Sequence, residues 1–227
     1  MAAYDLEEQE QLAELKAWWK QYGNLVTGVV VAASLGVLAW QGWNWYERKQ
    51  AGEASGVYSV LQRAALERDT QKTKAAAGEL VEKFGRTAYA PLGALTAAKA
   101  FYEAGDIKSA KAQLAWVAEN GKDELRDLGR LRLATVLLDE QAYDEALKTL
   151  SASHGAGFAV RFAELKGDVL VAQAKKAEAA AAYKAALAGL DGDGKSAADK
   201  GTLQSREMNA PYREMLQQKL DSLGVAK

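Results

Sequence analysis

Residues 94–117, ALTAAKAFYEAGDIKSAKAQLAWV, decide the fold, because two later stretches superimpose on them. These are RLRLATVLLDEQAYDEALKTLSAS from Arg130 and AELKGDVLVAQAKKAEAAAAYKAA from Ala163, at offsets of 36 and then 33 residues. Each copy has a small residue (Ala98, Ala134, Gly167) followed three positions later by a large apolar one (Phe101, Leu137, Leu170). Further on comes a second small residue (Ala110, Ala146, Ala179), with a large one four positions later (Leu114, Leu150, Tyr183). Two antiparallel helices in a hairpin meet where a small side chain faces a large one, and each hairpin leaves an apolar face that only the next hairpin can cover.

The pattern resembles the tetratricopeptide repeat, whose first helix carries one small residue and whose second carries an alanine. It departs in two ways: the usual tryptophan of the first helix is missing, and no proline closes the three units. A weaker unit is predicted upstream, with helices over residues 54–68 and 73–84 in which Ala77 takes the small position before Val81, after which Pro91 restarts the chain. Downstream, NAPYREMLQQKLDSLG predicts a terminal helix beginning near Pro211 and capped by Asn209, with Leu216, Leu220 and Leu223 on one face. A solenoid needs such a cap, since its last hairpin otherwise shows its apolar side to water.

Composition agrees with an all-α chain. The 227 residues suffice for one or two domains, alanine and leucine are abundant, and proline occurs only twice. Cysteine is absent, so no disulfide framework holds the fold. The net charge of −1 supplies no basic field for nucleic acid.

One segment does not suit a soluble domain. No charge occurs between Lys20 and Glu47, and within that interval lies NLVTGVVVAASLGVLAWQGWNWY. A helix of about 20 apolar residues crosses the hydrocarbon core. Trp18, Trp19 and Tyr22 stand at one end, and Trp40, Trp43, Trp45 and Tyr46 at the other, where indole rings prefer the headgroup level. A cleaved signal would begin basic and end in small residues, whereas here the acidic stretch YDLEEQEQLAEL precedes the span and the run ends in tryptophans. The segment is therefore read as a retained single-pass anchor. Lys16 and Lys20 balance Arg48 and Lys49, so the positive-inside rule leaves its orientation open. Gly28, Ala32 and Gly36 share one face, a candidate surface for packing another transmembrane helix.

Residues 189–196, GLDGDGKS, fit the phosphate-loop pattern. A working loop follows a buried strand, whereas this one follows KAEAAAAYKAALA, and Asp191 and Asp193 would repel phosphate. The stretch is read as a helix exit and a solvated linker, and Asp191, Asp193 and Asp199 lack the spacing of a calcium loop. His154 is the single histidine, so neither a zinc cluster nor a Ser-His-Asp set is assembled. No catalytic residue, cofactor or metal is assigned.

The candidate partner-binding face consists of stripes beside the core positions of each first helix: Leu92, Leu95, Lys99 and Tyr102; then Leu128, Leu131, Thr135 and Leu138; then Arg161, Glu164, Asp168 and Val171. Aligned, they would form a concave groove for an extended or partly folded polypeptide.

The acidic start AYDLEEQEQLAELKAWWKQYGN, one span and degenerate repeats together resemble the YfgM family, the ancillary subunits of the bacterial SecYEG translocon. The resemblance covers nearly the whole chain and is most specific at residues 3–24. It implies an inner-membrane protein with residues 1–22 cytoplasmic, a transmembrane helix at 23–46, and a periplasmic solenoid at 47–190. A solvated linker at 191–208 and a capping helix at 209–227 follow. The implied partners are SecYEG, the membrane-anchored periplasmic chaperone PpiD and unfolded translocating proteins. The implied role is to hand emerging proteins to periplasmic chaperones, with a link to restraining the Rcs envelope-stress response. The alternative is a structural or regulatory envelope scaffold that never touches client chains.

Overall fold

A computed structural model describes the backbone of residues 2–192 and 200–224, and the side chains of residues 11–190 and 209–224. Every regular element among the described residues is helical: α1 (Ala2–Leu66), α2 (Thr70–Phe84), α3 (Tyr89–Glu103), α4 (Ile107–Asn120), α5 (Asp123–Asp139), α6 (Tyr143–Leu150), α7 (Ala159–Ala172), α8 (Lys176–Gly192) and α9 (Lys200–Ser222). A short 3-10 turn, Ala156–Phe158, precedes α7. The chain divides into two compact units, Met1–Gly52 and Glu53–Lys227.

The first unit lies within α1. Its apolar residues are exposed, among them Leu25, Val29, Leu35 and Leu38, and the helix is long and apolar enough to cross a membrane. The uncharged stretch between Lys20 and Glu47 is the part of α1 long enough to cross the hydrocarbon core.

The second unit is a tetratricopeptide-repeat-like solenoid. Helix α3 pairs with α4, α5 with α6 and α7 with α8, while α9 packs on α8; the end of α1 shares an apolar cluster with α2 and α3. Four apolar clusters run in sequence, each shared by one hairpin and the next element. All twelve repeat positions named above are buried. Gly167, the smallest of them, lies against Tyr183, the largest.

The hairpin turns repeat more faithfully than the sequence. Each closes with a left-handed residue, Arg68, Gly105, Gln141 or Ala174. The next amide (Asp69, Asp106, Ala142, Lys175) donates five residues back to Ala64, Phe101, Leu137 or Leu170 at 2.8–2.9 Å. This is the Schellman end of a helix, and glycine, which adopts it without strain, fills only one of the four places. Asp69 and Asp106 then cap the following helices, accepting from the amides of Lys72 and Ser109.

Matching these turns corrects the upstream unit. Aligned on Arg68 and Gly105, the small position of α2 belongs to Thr73, and Ala77 takes the place held by Leu114 in the next repeat. Leu61 correspondingly stands where Ala98 does, and Leu61 and Ala77 share one core cluster. The large and small partners have exchanged helices, so the volume is conserved while the alanine signature is displaced.

The C-terminal boundary also differs from expectation. Helix α8 continues through Gly189 to Gly192, and α9 starts at Lys200 with Pro211 in its interior. Gly189 is a packing residue rather than a helix exit, since a Cβ there would lie 2.8 Å from Val160 Cγ2. Proline keeps a helical φ and removes one hydrogen bond, a loss that packing of the Leu216 and Leu223 stripe offsets.

Candidate protein-interaction surface

Helices α3 and α5 leave between them a groove of about 320 Å³. Its floor is apolar, built from Leu95 and Ala98 of α3, Leu114 of α4 and Val136 of α5. Its rim carries Lys99 and Tyr102 on one side, and Arg132, Thr135 and Asp139 on the other. Leu95, Ala98 and Tyr102 fall on one helical face because they are spaced three and four residues apart. Thr135 accepts no role in the core, since its hydroxyl donates to its own helix at the Leu131 carbonyl.

One end of the groove is tied shut. The Tyr102 hydroxyl donates to Asp139 Oδ2 at 2.8 Å, bridging α3 to α5. That hydrogen bond and the carboxylate's charge raise the Tyr102 phenol above its ordinary value. Arg132 lies seven residues before Asp139, two helical turns or about 10 Å away. The groove thus has a cationic end and an anionic end, the latter already occupied by a tyrosine hydroxyl.

Of the residues expected to line a continuous concave face, Leu95, Lys99, Tyr102 and Thr135 do line this groove. Leu131 and Leu138 do not: both are half-buried and pack against the cluster containing Phe162 and Val169 of α7. The reason is geometric. Two neighbouring first helices face each other with opposite flanks, so the second wall comes one residue later in the repeat, from Arg132, Val136 and Asp139 rather than from Leu131 and Leu138. One stripe copied along the repeats cannot supply both walls, and allowing for the turn of about 100° per residue would have found these three.

The third stripe is covered by the chain itself. Lys219 of α9 donates to Glu164 Oε1 at 2.9 Å and to Asp168 at 2.8 and 2.9 Å. The Tyr183 hydroxyl donates to Asp168 Oδ1 at 2.7 Å, and the Tyr212 hydroxyl donates to Glu164 Oε2. Arg161 stacks over the Tyr212 ring at 5.1 Å. Glu164 and Asp168 are therefore anchor points for the cap, while Val171 beyond them remains exposed. Burial raises the phenols of Tyr183 and Tyr212, and acceptance of their protons by Asp168 and Glu164 raises them further. Burial alone would lower the Lys219 ammonium, but the two carboxylates outweigh it and hold it above its ordinary value.

A second polar anchor, not foreseen from sequence, sits under the loop before α7. Asp127 is buried, and its Oδ2 accepts from the Gly155 amide at 2.8 Å. Arg130 pairs with its other oxygen and donates to the Ser153 carbonyl at 2.7 Å. His154 meets Phe162 edge-on at 4.3 Å. Nothing in the one-dimensional pattern separates Asp127 from the surface acids around it.

On the α1 unit, Gly28, Ala32 and Gly36 are exposed, and a Cβ added at Gly28 or Gly36 would meet nothing within 4 Å. Gly23 differs: its Cβ would lie 3.1 Å from Trp19 Nε1, so the indole lies down on the backbone there. At the other end Trp43 Nε1 donates to Glu47 at 2.9 Å.

The phosphate-loop stretch is helical through Gly192, where a nucleotide loop needs an open turn, and Asp193, Lys195 and Ser196 lie outside the described residues. Among the described residues no His, Cys, Asp or Glu cluster is arranged to hold a metal.

Comparison with known proteins places these features in a family. Residues 16–225 match the model of the tetratricopeptide repeat-like domain. A Neisseria gonorrhoeae protein called "Ancillary SecYEG translocon subunit" is 32% identical over 225 residues, covering 98% of this chain and all of its own length. Proteins of the same name are 32% identical in Haemophilus influenzae, over 81% of this chain and 90% of the relative, and 28% identical in Escherichia coli K12, over 96% and 97%.

Proposed function

The chain belongs to the tetratricopeptide repeat-like family and, within it, to the family of ancillary SecYEG translocon subunits, and on that premise we propose that it is a non-catalytic, membrane-anchored interaction subunit of the translocon. The observation that carries this reading is the presence in one chain of an exposed apolar helix and of a solenoid with an open, side-chain-lined groove between α3 and α5. The first gives residence in the inner membrane beside SecYEG. The second gives a place to hold polypeptide by shape and charge rather than by chemistry.

In this reading the N-terminus is cytoplasmic and the solenoid periplasmic, where it receives emerging proteins and passes them to periplasmic chaperones, the membrane-anchored PpiD among them. The face of Gly28, Ala32 and Gly36 packs against a helix of the translocon or of PpiD, because small residues let two backbones approach closely. Protease added to intact spheroplasts tests the orientation: digestion of the solenoid supports the exit-side role, and protection until lysis refutes it.

Site-specific photocrosslinking from position 135 during active export separates this role from that of an envelope scaffold. Crosslinks to translocating chains support the handover. Crosslinks restricted to stable membrane partners favour the scaffold.

A further inference from the structure

The groove between α3 and α5 carries enough asymmetry to define its occupant. Its floor is apolar and its volume, about 320 Å³, suits one large side chain. The charged groups facing it are Lys99, Arg132 and Asp139. Asp139 already accepts the Tyr102 hydroxyl. Lys99 reaches Glu103 only at 3.7 Å with both side chains largely exposed, a pair that constrains neither. The Arg132 side chain makes no hydrogen bond or ion pair with any described residue. The unspent charge is thus positive, and it lies at the open end, two turns from the tyrosine bridge.

The geometry points to an extended polypeptide segment whose large apolar or aromatic side chain enters the groove beside Val136, with an adjacent carboxylate on the Arg132 guanidinium. This rests on the reading that the solenoid holds polypeptide, and it specifies which segments are held: acidic-apolar ones. The molecule contains its own example of the complementary rule. At the third repeat the first helix presents carboxylates, Glu164 and Asp168, and the segment that covers them brings a lysine and a tyrosine. Where the wall is a guanidinium, the matching segment brings an acid. A carboxylate meets the planar guanidinium fork in two parallel hydrogen bonds, which fixes the segment's position as well as adding affinity.

The test uses the full chain in nanodiscs and two fluorescein-labelled heptapeptides in a glycine-serine background. One has a phenylalanine flanked by aspartates, the other a phenylalanine flanked by lysines. Fluorescence anisotropy is expected to show the aspartate peptide binding at least fivefold more tightly. Arg132→Glu should reverse that order, and Thr135→Trp, which fills the groove from its rim, should abolish both. Both substituted positions are exposed, and circular dichroism checks that helicity is retained. Equal binding, a preference for the lysine peptide, or an order unmoved by Arg132→Glu would overturn the inference. A lysine preference that Thr135→Trp abolishes would still leave polypeptide binding standing. Binding of neither peptide would overturn the inference, while co-purification of the same nanodisc preparation with SecYEG would decide the translocon role separately.

Discussion

Gly167 of α7 and Tyr183 of α8 fit each other: a Cβ on the glycine would stand 2.4 Å from Cε1 of the tyrosine ring. The other two complete repeats place alanine opposite leucine at the equivalent positions. Tyrosine, the larger occupant, has removed the last methyl group from its partner. Gly167→Ala is therefore expected to cost about 1–3 kcal/mol through overpacking. Tyr183→Leu in the same chain should recover part of that loss, because it recreates the alanine–leucine pair. Thermal unfolding of the two single variants and the double variant measures the coupling, and simple additivity would refute it.

The left-handed turn residues give a prediction of opposite sign. Ala174 has φ +60° and closes the α7–α8 turn, where Gly105 does the same between α3 and α4. A left-handed residue with a Cβ costs roughly 1–2 kcal/mol, and glycine removes that strain while adding freedom to the unfolded chain. Ala174→Gly should stabilise by up to about 1 kcal/mol, visible as a higher denaturation midpoint. A lower midpoint would refute the account.

Asp127 holds the loop ahead of α7 by accepting from Gly155 and pairing with Arg130. Removing its carboxylate leaves the largely buried Arg130 guanidinium and the Gly155 amide without their acceptor. Asp127→Ala should cost about 3 kcal/mol and expose residues 151–158 to limited proteolysis. Asp127→Asn, which keeps an acceptor for Gly155, should cost less.

Docking of α9 should weaken in alkali. Tyr183, Tyr212 and Lys219 all have folded values raised above their ordinary ones of 10.0, 10.0 and 10.5. Groups shifted upward contribute stability that is complete below their unfolded values and is lost as pH rises through the folded ones. The cap is therefore fully docked at neutral pH and loosens above about pH 10. Tyrosinate absorbance should show Tyr183 and Tyr212 ionising late, as Tyr102 does outside the cap, with loss of α9 protection accompanying the first two. All nine tyrosines titrating together would refute it.

Much of the fold could be read along the chain. The alternation of small and large residues at Ala98, Leu114, Ala134, Leu150, Gly167 and Tyr183 identified three hairpins, because hairpin packing is a local matter of volume at fixed spacing. It failed upstream, where Leu61 and Ala77 exchange sizes: volume complementarity belongs to a pair, and a pattern read along one helix sees half of it. Pro211 misplaced the start of α9 for a similar reason, since proline weakens a helix locally while packing at Leu216 and Leu223 holds it.

The candidate site was less legible. Leu95, Lys99, Tyr102 and Thr135 were in place, but Arg132, Val136 and Asp139 form the facing wall, and Glu164 and Asp168 are taken by Lys219 and Tyr212 of α9. By itself the sequence determined the helical class, the apolar anchor with its aromatic ends, and the repeat spacing, all of which follow from periodicity and composition over short distances. Only the tertiary structure decided which stripe stays open. That depends on the rotation of one helix against its neighbour and on a terminal segment folding back over the last repeat, and both join residues between 37 and 55 positions apart in the chain.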